Sequence, residues 1–360
     1  MTVDAPAVAA PLSAVDTFWY FAAARHRVYM CRIAGHTCRP DDWILRTFRF
    51  TNAFRACDRV SQYLIRNVQY GTTLSPDEAI FRTLLFKLFN RVETWQALSA
   101  DRPQSIDSFS VDRAAEILLR RMERGERVYS AAYIVPPVPG TAGPKHAGHL
   151  ALVARMLDEG LPGSIRAADS LEETFYLLRS YPGIGNFLAF QLAVDISYSS
   201  AVSFDDGGFV KAGPGALDGI AKCFPDVPLS QAETLIQSLC ERQEEEFDAR
   251  GLHFDGLHGR PLQPVDVQNL FCEVSKYTRA AIPDLRGTLG RTRIKQRYAK
   301  AGALPAEFFP PKWGLSFGNG SCFDLQRAST HIHGDDPTAH GAQAVEGSVA
   351  HEDGLLPLGW

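Results

Sequence analysis

Residues Leu178 to Phe224 read LRSYPGIGNFLAFQLAVDISYSSAVSFDDGGFVKAGPGALDGIAKCF, and the order of their parts decides the fold. An apolar helix closes near Arg179, the chain turns through Tyr181-Pro182-Gly183-Ile184-Gly185, and a second apolar helix runs from Asn186 to about Ile196. Glycines on either side of one aliphatic residue, behind a proline, permit a tight turn and leave the first N–H groups of the next helix unpaired. Such a turn can grip a phosphate. An acidic turn at Asp205 and Asp206 follows, with Asp205 20 positions past Gly185. The plain alternative is a glycine turn that only joins two core helices.

Composition sets the frame around this stretch. A chain of 360 residues, 45% apolar and 22% charged, is ordinary for a globular protein with one large or two medium cores. No run of 18 apolar residues suggests a membrane span, and the opening MTVDAPAVAAPLSAVD lacks the basic start of a signal peptide. A cytoplasmic location is expected. The 7 cysteines form no C-x-x-C pair, so buried reduced thiols are expected, with no zinc, no iron–sulfur cluster and no cofactor. Net charge is -4, but the charge is uneven. Lys276, Arg279, Arg286, Arg291, Arg293, Lys295, Arg297 and Lys300 face only Asp284, and a local basic surface of this kind can hold a phosphate backbone.

The rest of the chain reads as helices. VDTFWYFAAARHRVYMCR, residues 15–32, is an apolar helix with a basic end. Residues 43–70, WILRTFRFTNAFRACDRVSQYLIRNVQY, at helical spacing put Phe54, Val60, Leu64 and Val68 on a buried side and Asn52, Arg55, Arg59, Gln62 and Arg66 on a polar one. Ser75-Pro76-Asp77-Glu78 supplies the cap, the first-position proline and the first-turn acids of a helix start, and predicts one long helix through residue 98. Ser110-Val111-Asp112 opens another. Residues 138–148, VPGTAGPKHAG, form the break in the chain. Further helices are predicted over 149–159, 170–179 and 230–250. Residues 262–279 set Asp266, Asn269, Glu273 and Lys276 at steps of three and four, a polar stripe beside Val267, Leu270 and Val274. No segment carries a strong strand pattern. The expectation is a mostly α protein, with helical lobes over 15–137 and 149–310, a cleft between them, and disordered ends at 1–14 and 318–360.

The glycine turn followed by an acid at this distance resembles the helix-hairpin-helix turn of the DNA glycosylase superfamily. Three further blocks extend the likeness: FLAFQLAVD with FDDGGFVKAGPGALDGIAKCF, then FTNAFRACDRVSQ at 50–62, and DVQNLFCEVSKY at 266–277. Together with VYSAAYI at 128–134 they resemble the alpha-glutamyl/putrescinyl thymine pyrophosphorylases of DNA base hypermodification, which share a helical domain with 5-hydroxymethyluracil DNA kinases. The resemblance covers about residues 15–300. It implies a two-lobed helix-hairpin-helix, glycosylase-like fold and DNA as partner, with a small amine or amino acid as co-substrate. Asp205 or Asp206 is then the catalytic acid. Asn52, Arg55, Asp58, Arg59, Gln62, Tyr133, Asp266, Asn269, Glu273 and Lys276 line the cleft and hold the base and its pyrophosphate. Gly183, Gly185 and Asn186, with Arg291, Arg293 and Lys295, meet the DNA backbone. The implied reaction replaces pyrophosphate on the 5-methylene of a flipped thymine with the amine.

Other readings stay open at this level. A monofunctional glycosylase would cut the base–sugar bond; Phe187 stands where bifunctional glycosylases keep a lysine. A non-catalytic DNA-binding module would keep the hairpin alone. AGPGALDGIAKCF departs from a Walker loop because neither glycine before nor Ser/Thr after flanks Lys222. The structural alternatives are an Asp58–Arg55 pair, a buried polar network around Asp266 and Glu273, and core packing of Tyr129 and Tyr133.

Overall fold

The computed structural model describes residues 13–36, 40–132, 135–299, 302 and 306–315. Tyr133, residues 1–12 and the stretch 318–360 lie outside the described residues. Within them the chain is mostly α, as expected, and its β pairing amounts to two isolated bridges, Phe48 with Arg297 and Leu257 with Arg260. No helix among them is long and apolar enough to cross a membrane.

The N-terminal helices are α1 (Ala14–Ile33), α2 (Trp43–Thr47), α3 (Arg59–Tyr63), α4 (Pro76–Phe89), α5 (Val92–Leu98) and α6 (Val111–Glu123). Then come α7 (Lys145–Asp158), α8 (Leu161–Ala167), α9 (Leu171–Arg179), α10 (Asn186–Ser197), α11 (Pro214–Cys223), α12 (Ala232–Glu241), α13 (Gln243–Asp248) and α14 (Pro264–Ala281). Their starts follow local chemistry. Ser13, Ser75, Ser110 and Ser170 each accept a backbone N–H of the helix they open. Asp42 accepts both Ile44 N and Leu45 N at the head of α2, while its second oxygen takes the Tyr277 hydroxyl of α14 at 2.6 Å.

Two helices carry the core. α10 is buried from Leu188 to Ser197 and packs on α9 and α4. α14 is buried along almost its whole length, against α1, α11 and α12. Gly219 permits the closest of these approaches, since a Cβ there would overlap the Phe271 carbonyl oxygen. The buried apolar residues form one cluster reaching from Phe18 to Phe309, so no break in the core separates the segments before and after residues 138–148.

Four sequence expectations need correction. Residues 43–70 are not one helix. After α2 the chain runs extended, with Arg49 N donating to Gln296 O at 3.0 Å and Tyr298 N to Thr47 O at 2.9 Å. A single 3-10 turn at Arg55–Cys57 and a wide π turn at Leu64–Gln69 then flank α3, which sends Arg55 inward instead of onto a polar face. The long helix after Ser75 stops at Asn90, left-handed at φ 49°, a conformation asparagine tolerates; α5 starts afresh two residues on. The helix over 230–250 breaks at Arg242. Cys57, Cys223, Cys240 and Cys272 are free thiols, whereas Cys31 is disulfide-bonded, against the expectation of reduced thiols throughout.

Candidate active site

The hairpin is formed by α9, the turn Ser180–Gly185 and α10. Gly183 adopts φ +81°, and a Cβ there would lie 3.3 Å from Pro139 Cδ and 3.4 Å from Val138 Cα, so a side chain meets both strain and crowding. Gly185 and Asn186 are exposed at the head of α10, with the Asn186 amide oxygen accepting from Arg179 Nε at 2.7 Å. Arg293 and Lys295 are exposed on the extended run after α14, and Arg291 is half-buried there.

Beneath the hairpin lies a charged network that sequence reading missed. Asp195, 0% exposed on α10, binds Arg55 at 2.7 Å and Lys87 of α4 at 2.8 Å. Arg55 also donates to Gln191 Oε1 at 3.1 Å and to the Tyr198 hydroxyl at 3.2 Å. The wide turn at Leu64–Gln69 carries Gln69 inward, where its amide donates to the Asp195 carbonyl at 2.7 Å. Burial works against the Asp195 charge, but Arg55 and Lys87 together hold its carboxyl below the ordinary range. For Lys87 the balance differs: burial outweighs its attraction to Asp195 and lowers the ammonium to about 8. The sequence signal for this network was Gln191 and Asp195, four apart in the apolar helix FLAFQLAVD, and Lys87 within LLFKLF.

The acidic turn stands at the far edge of this network. Asp206 is 2% exposed and pairs with Arg260 of the turn before α14. Asp205 is half-exposed; its Oδ1 accepts Gly207 N at 2.9 Å and its Oδ2 lies 3.7 Å from Arg260. Asp266 approaches from the head of α14, where one oxygen accepts Arg55 N at 2.7 Å and the other Gln263 N at 3.0 Å. Burial pushes both carboxyls above the ordinary range: at Asp206 it outweighs the pull of Arg260 with help from the charge of Asp205, and at Asp266 the charge of Asp206 adds to it. Two acids side by side in a buried site can exchange a proton with a reactant.

A C-terminal strap, residues 306–315, crosses this region. Gln62 clamps it by accepting Phe308 N at 2.9 Å and donating to Phe308 O at 3.2 Å, and Arg59 donates to Gly302 O at 2.6 Å. Glu307 joins Tyr29 at 2.6 Å and His258 at 3.1 Å. Lys312 donates to Val202 O at 3.0 Å and Phe204 O at 2.8 Å, just before the acidic turn. Burial lowers its ammonium to about 8 against the pull of Asp205 and Asp206. The guanidinium of Arg260 lies 4.1 Å from the centre of the Trp313 ring.

The remaining predicted residues gather in a third cluster. Asn52 bonds Asp58 Oδ1 through its backbone N at 3.0 Å and Cys57 O through its amide at 2.8 Å, and accepts Arg25 at 2.6 Å. Glu273 accepts Thr51 N at 3.0 Å and Lys276 at 2.7 Å. Asn269 is half-buried on α14. The structure thus divides the predicted set. Asp266 accepts the Arg55 N–H and feels the charge of Asp206, Asn52, Asp58, Glu273 and Lys276 gather about Thr51 and Asn52, and Gln62 holds the strap while Arg59 holds Gly302 before it. Asp58 is bound to Asn52 and Arg55 to Asp195, so the Asp58–Arg55 pair does not form. Tyr129 packs on Phe89 and bonds His149 at 2.7 Å. Lys222 points into the core, onto Ser275 O at 2.8 Å.

His26 fixes the turn that delivers Arg260. Its Nε2 lies 2.9 Å from Gly256 O, and the ring packs against Phe54 and Phe254. Burial lowers its pKa from 6.5 to about 4. Between those values the unfolded chain holds a proton that the native one does not. Stability contributed by neutral His26 is therefore present above 6.5 and is lost as pH falls toward about 4. A His26→Gln variant keeps a donor for Gly256 but cannot titrate. Its stability relative to the parent should improve by about 3 kcal/mol between pH 7 and pH 4; parallel curves of melting temperature against pH would contradict this.

The fold and site define a mostly helical protein with paired buried acids beyond a glycine-turn hairpin. A family model described as 5-hmdU DNA kinase, helical domain, matches residues 12–287, and the chain belongs to that family. A 5-hmdU DNA kinase of Bacillus phage SP10 is 26% identical over 284 residues, covering 73% of this chain and 44% of the kinase. The chain thus spans less than half the length of that relative. No solved structure matches. The link to the kinase helical domain stands as expected, while the likeness to thymine pyrophosphorylases and DNA glycosylases rests on the sequence motifs alone. The strap lies past the matched residues.

Proposed function

We propose that this chain acts on a modified thymine in DNA, replacing pyrophosphate on the 5-methylene of a flipped base with an amine, either an amino acid or a polyamine. The observation that supports this most directly is the buried Asp206, which follows the hairpin in the chain, pairs with Arg260 and acts by its charge on the buried Asp266. Membership of a family named for 5-hmdU DNA kinases supplies the substrate class. In this reading the amine nitrogen attacks the methylene carbon, the carbon–oxygen bond breaks, and pyrophosphate leaves with the bonding pair. The proton lost by the amine passes to Asp206. The head of α10 at Gly183, Gly185 and Asn186, with Arg291, Arg293 and Lys295, holds the DNA backbone. Arg59 and Lys276 exchange their present partners, Gly302 and Glu273, for pyrophosphate oxygens.

The test is to incubate the protein with DNA carrying the pyrophosphate ester of 5-hydroxymethyluracil and a set of amines, then digest the DNA and weigh the nucleosides. A heavier nucleoside carrying the amine, with pyrophosphate released, is the expected product. Release of a free base would replace this reading by the glycosylase one, and unchanged nucleosides with every amine would overturn both.

A further inference from the structure

Trp313 occupies an unusual position for a tryptophan. Its ring is half-buried, with the Arg260 guanidinium over it at 4.1 Å and the Tyr198 ring edge-on at 5.5 Å. Phe309 lies nearly parallel to it at 6.0 Å. Arg260 is the same residue that pairs with Asp206. The indole is therefore stacked on a cation that also holds the buried acid, and Lys312 beside it contacts the carbonyls leading into the acidic turn. Its polar edge is not provided for: Nε1 is buried and finds no acceptor among the described residues. Buried donors are nearly always met, so the setting suits a flat ring but not this ring's N–H.

We propose that Arg260, Tyr198, Lys312 and Asp206 form a stacking site for a planar nucleobase, and that Trp313 is its displaceable occupant from the chain itself. Arginine stacks readily on any base face. A base entering here would bring its exocyclic edge to Lys312 and Asp206, whereas the indole leaves its donor unmet. The strap carrying Trp313 is held at Gln62, at Tyr29 and His258 through Glu307, and at Val202 and Phe204 through Lys312, so the ring can swing out about its own side-chain bonds while the strap stays attached. The inference rests on the functional reading above in taking the ligand to be a pyrimidine, but it concerns binding and requires no turnover.

The test uses the full chain and two nucleosides, thymidine and 5-hydroxymethyl-2′-deoxyuridine. If the indole fills the site nine-tenths of the time, the apparent affinity of the parent is reduced about tenfold. Trp313→Ala should therefore bind the nucleosides about tenfold more tightly, and adding Arg260→Met should abolish that gain. Equal or weaker binding by a Trp313→Ala protein with an unchanged melting temperature would make Trp313 a fixed wall and overturn the proposal. Should that variant fail to fold, the parent still decides: saturating nucleoside must shift the emission component that Trp313→Phe removes, and no shift overturns the proposal. Absence of amine transfer with nucleoside binding intact would remove the functional reading and leave this site standing.

Discussion

Asp195→Ala is expected to destabilise the protein by at least about 4 kcal/mol, enough to leave much of the chain unfolded on mild warming. A carboxylate removed from a buried ion pair strands its partner, a loss of about 3–5 kcal/mol, and here two cations, Arg55 and Lys87, depend on the one acid. Whole domains of this kind retain only about 5–15 kcal/mol. The two cations do not lose equally. Lys87, already lowered to about 8 by burial, can shed its proton, whereas the Arg55 guanidinium cannot. Adding Arg55→Met to Asp195→Ala should therefore recover more stability than adding Lys87→Met. Urea unfolding of the three variants measures this; a loss under about 1 kcal/mol for Asp195→Ala would mean that the cations find water in its place. The consequence reaches the acidic turn, because the backbone N–H of Arg55 is one of two groups holding Asp266.

The sequence made the helical scaffold legible where short-range chemistry decides it. Ser75 caps the helix it was expected to cap, Ser110 and Ser170 cap helices that were expected to begin there, and the turn from Tyr181 to Gly185 joins two helices where its glycines allowed. Residues 43–70 were misread because periodicity assumes that the polar side faces water. Arg55 and Gln62 are both buried, the first against Asp195 and the second against the strap, and pairing of residues 47–49 with 296–298 replaces helix by extended chain. Tertiary contacts overrode local pattern there. Asp195 was readable in principle, as an acid four residues after a glutamine in an otherwise apolar helix. Arg260 and Trp313 were not, since both sit in irregular chain and meet Asp206 and Tyr198 only through the fold.

Asp206→Asn should lower amine transfer by about 10²–10⁴-fold, the range expected when a positioned acid–base group is lost, and should leave DNA binding within about threefold. The two effects separate because the acid is interior and the groups assigned to the DNA backbone are not. Asp206 is 2% exposed, while Gly185 and Asn186 are exposed on the hairpin. Asparagine preserves volume, and Arg260 keeps Asp205 at 3.7 Å as a second anion, so the turn should survive. Asp205→Asn should cost far less, since that carboxylate is half-exposed and already accepts Gly207 N. Removing the charge of Asp206 also relieves Asp266, whose carboxyl is raised first by burial and then by that charge. Its titration should move to lower pH in the variant, and any residual rate should follow it. Rates and filter binding on the same modified duplex measure both quantities. More than a tenth of the parent rate in Asp206→Asn would take this acid out of the chemistry, and equal losses at Asp205 and Asp206 would mean that their combined charge on Arg260 is what matters.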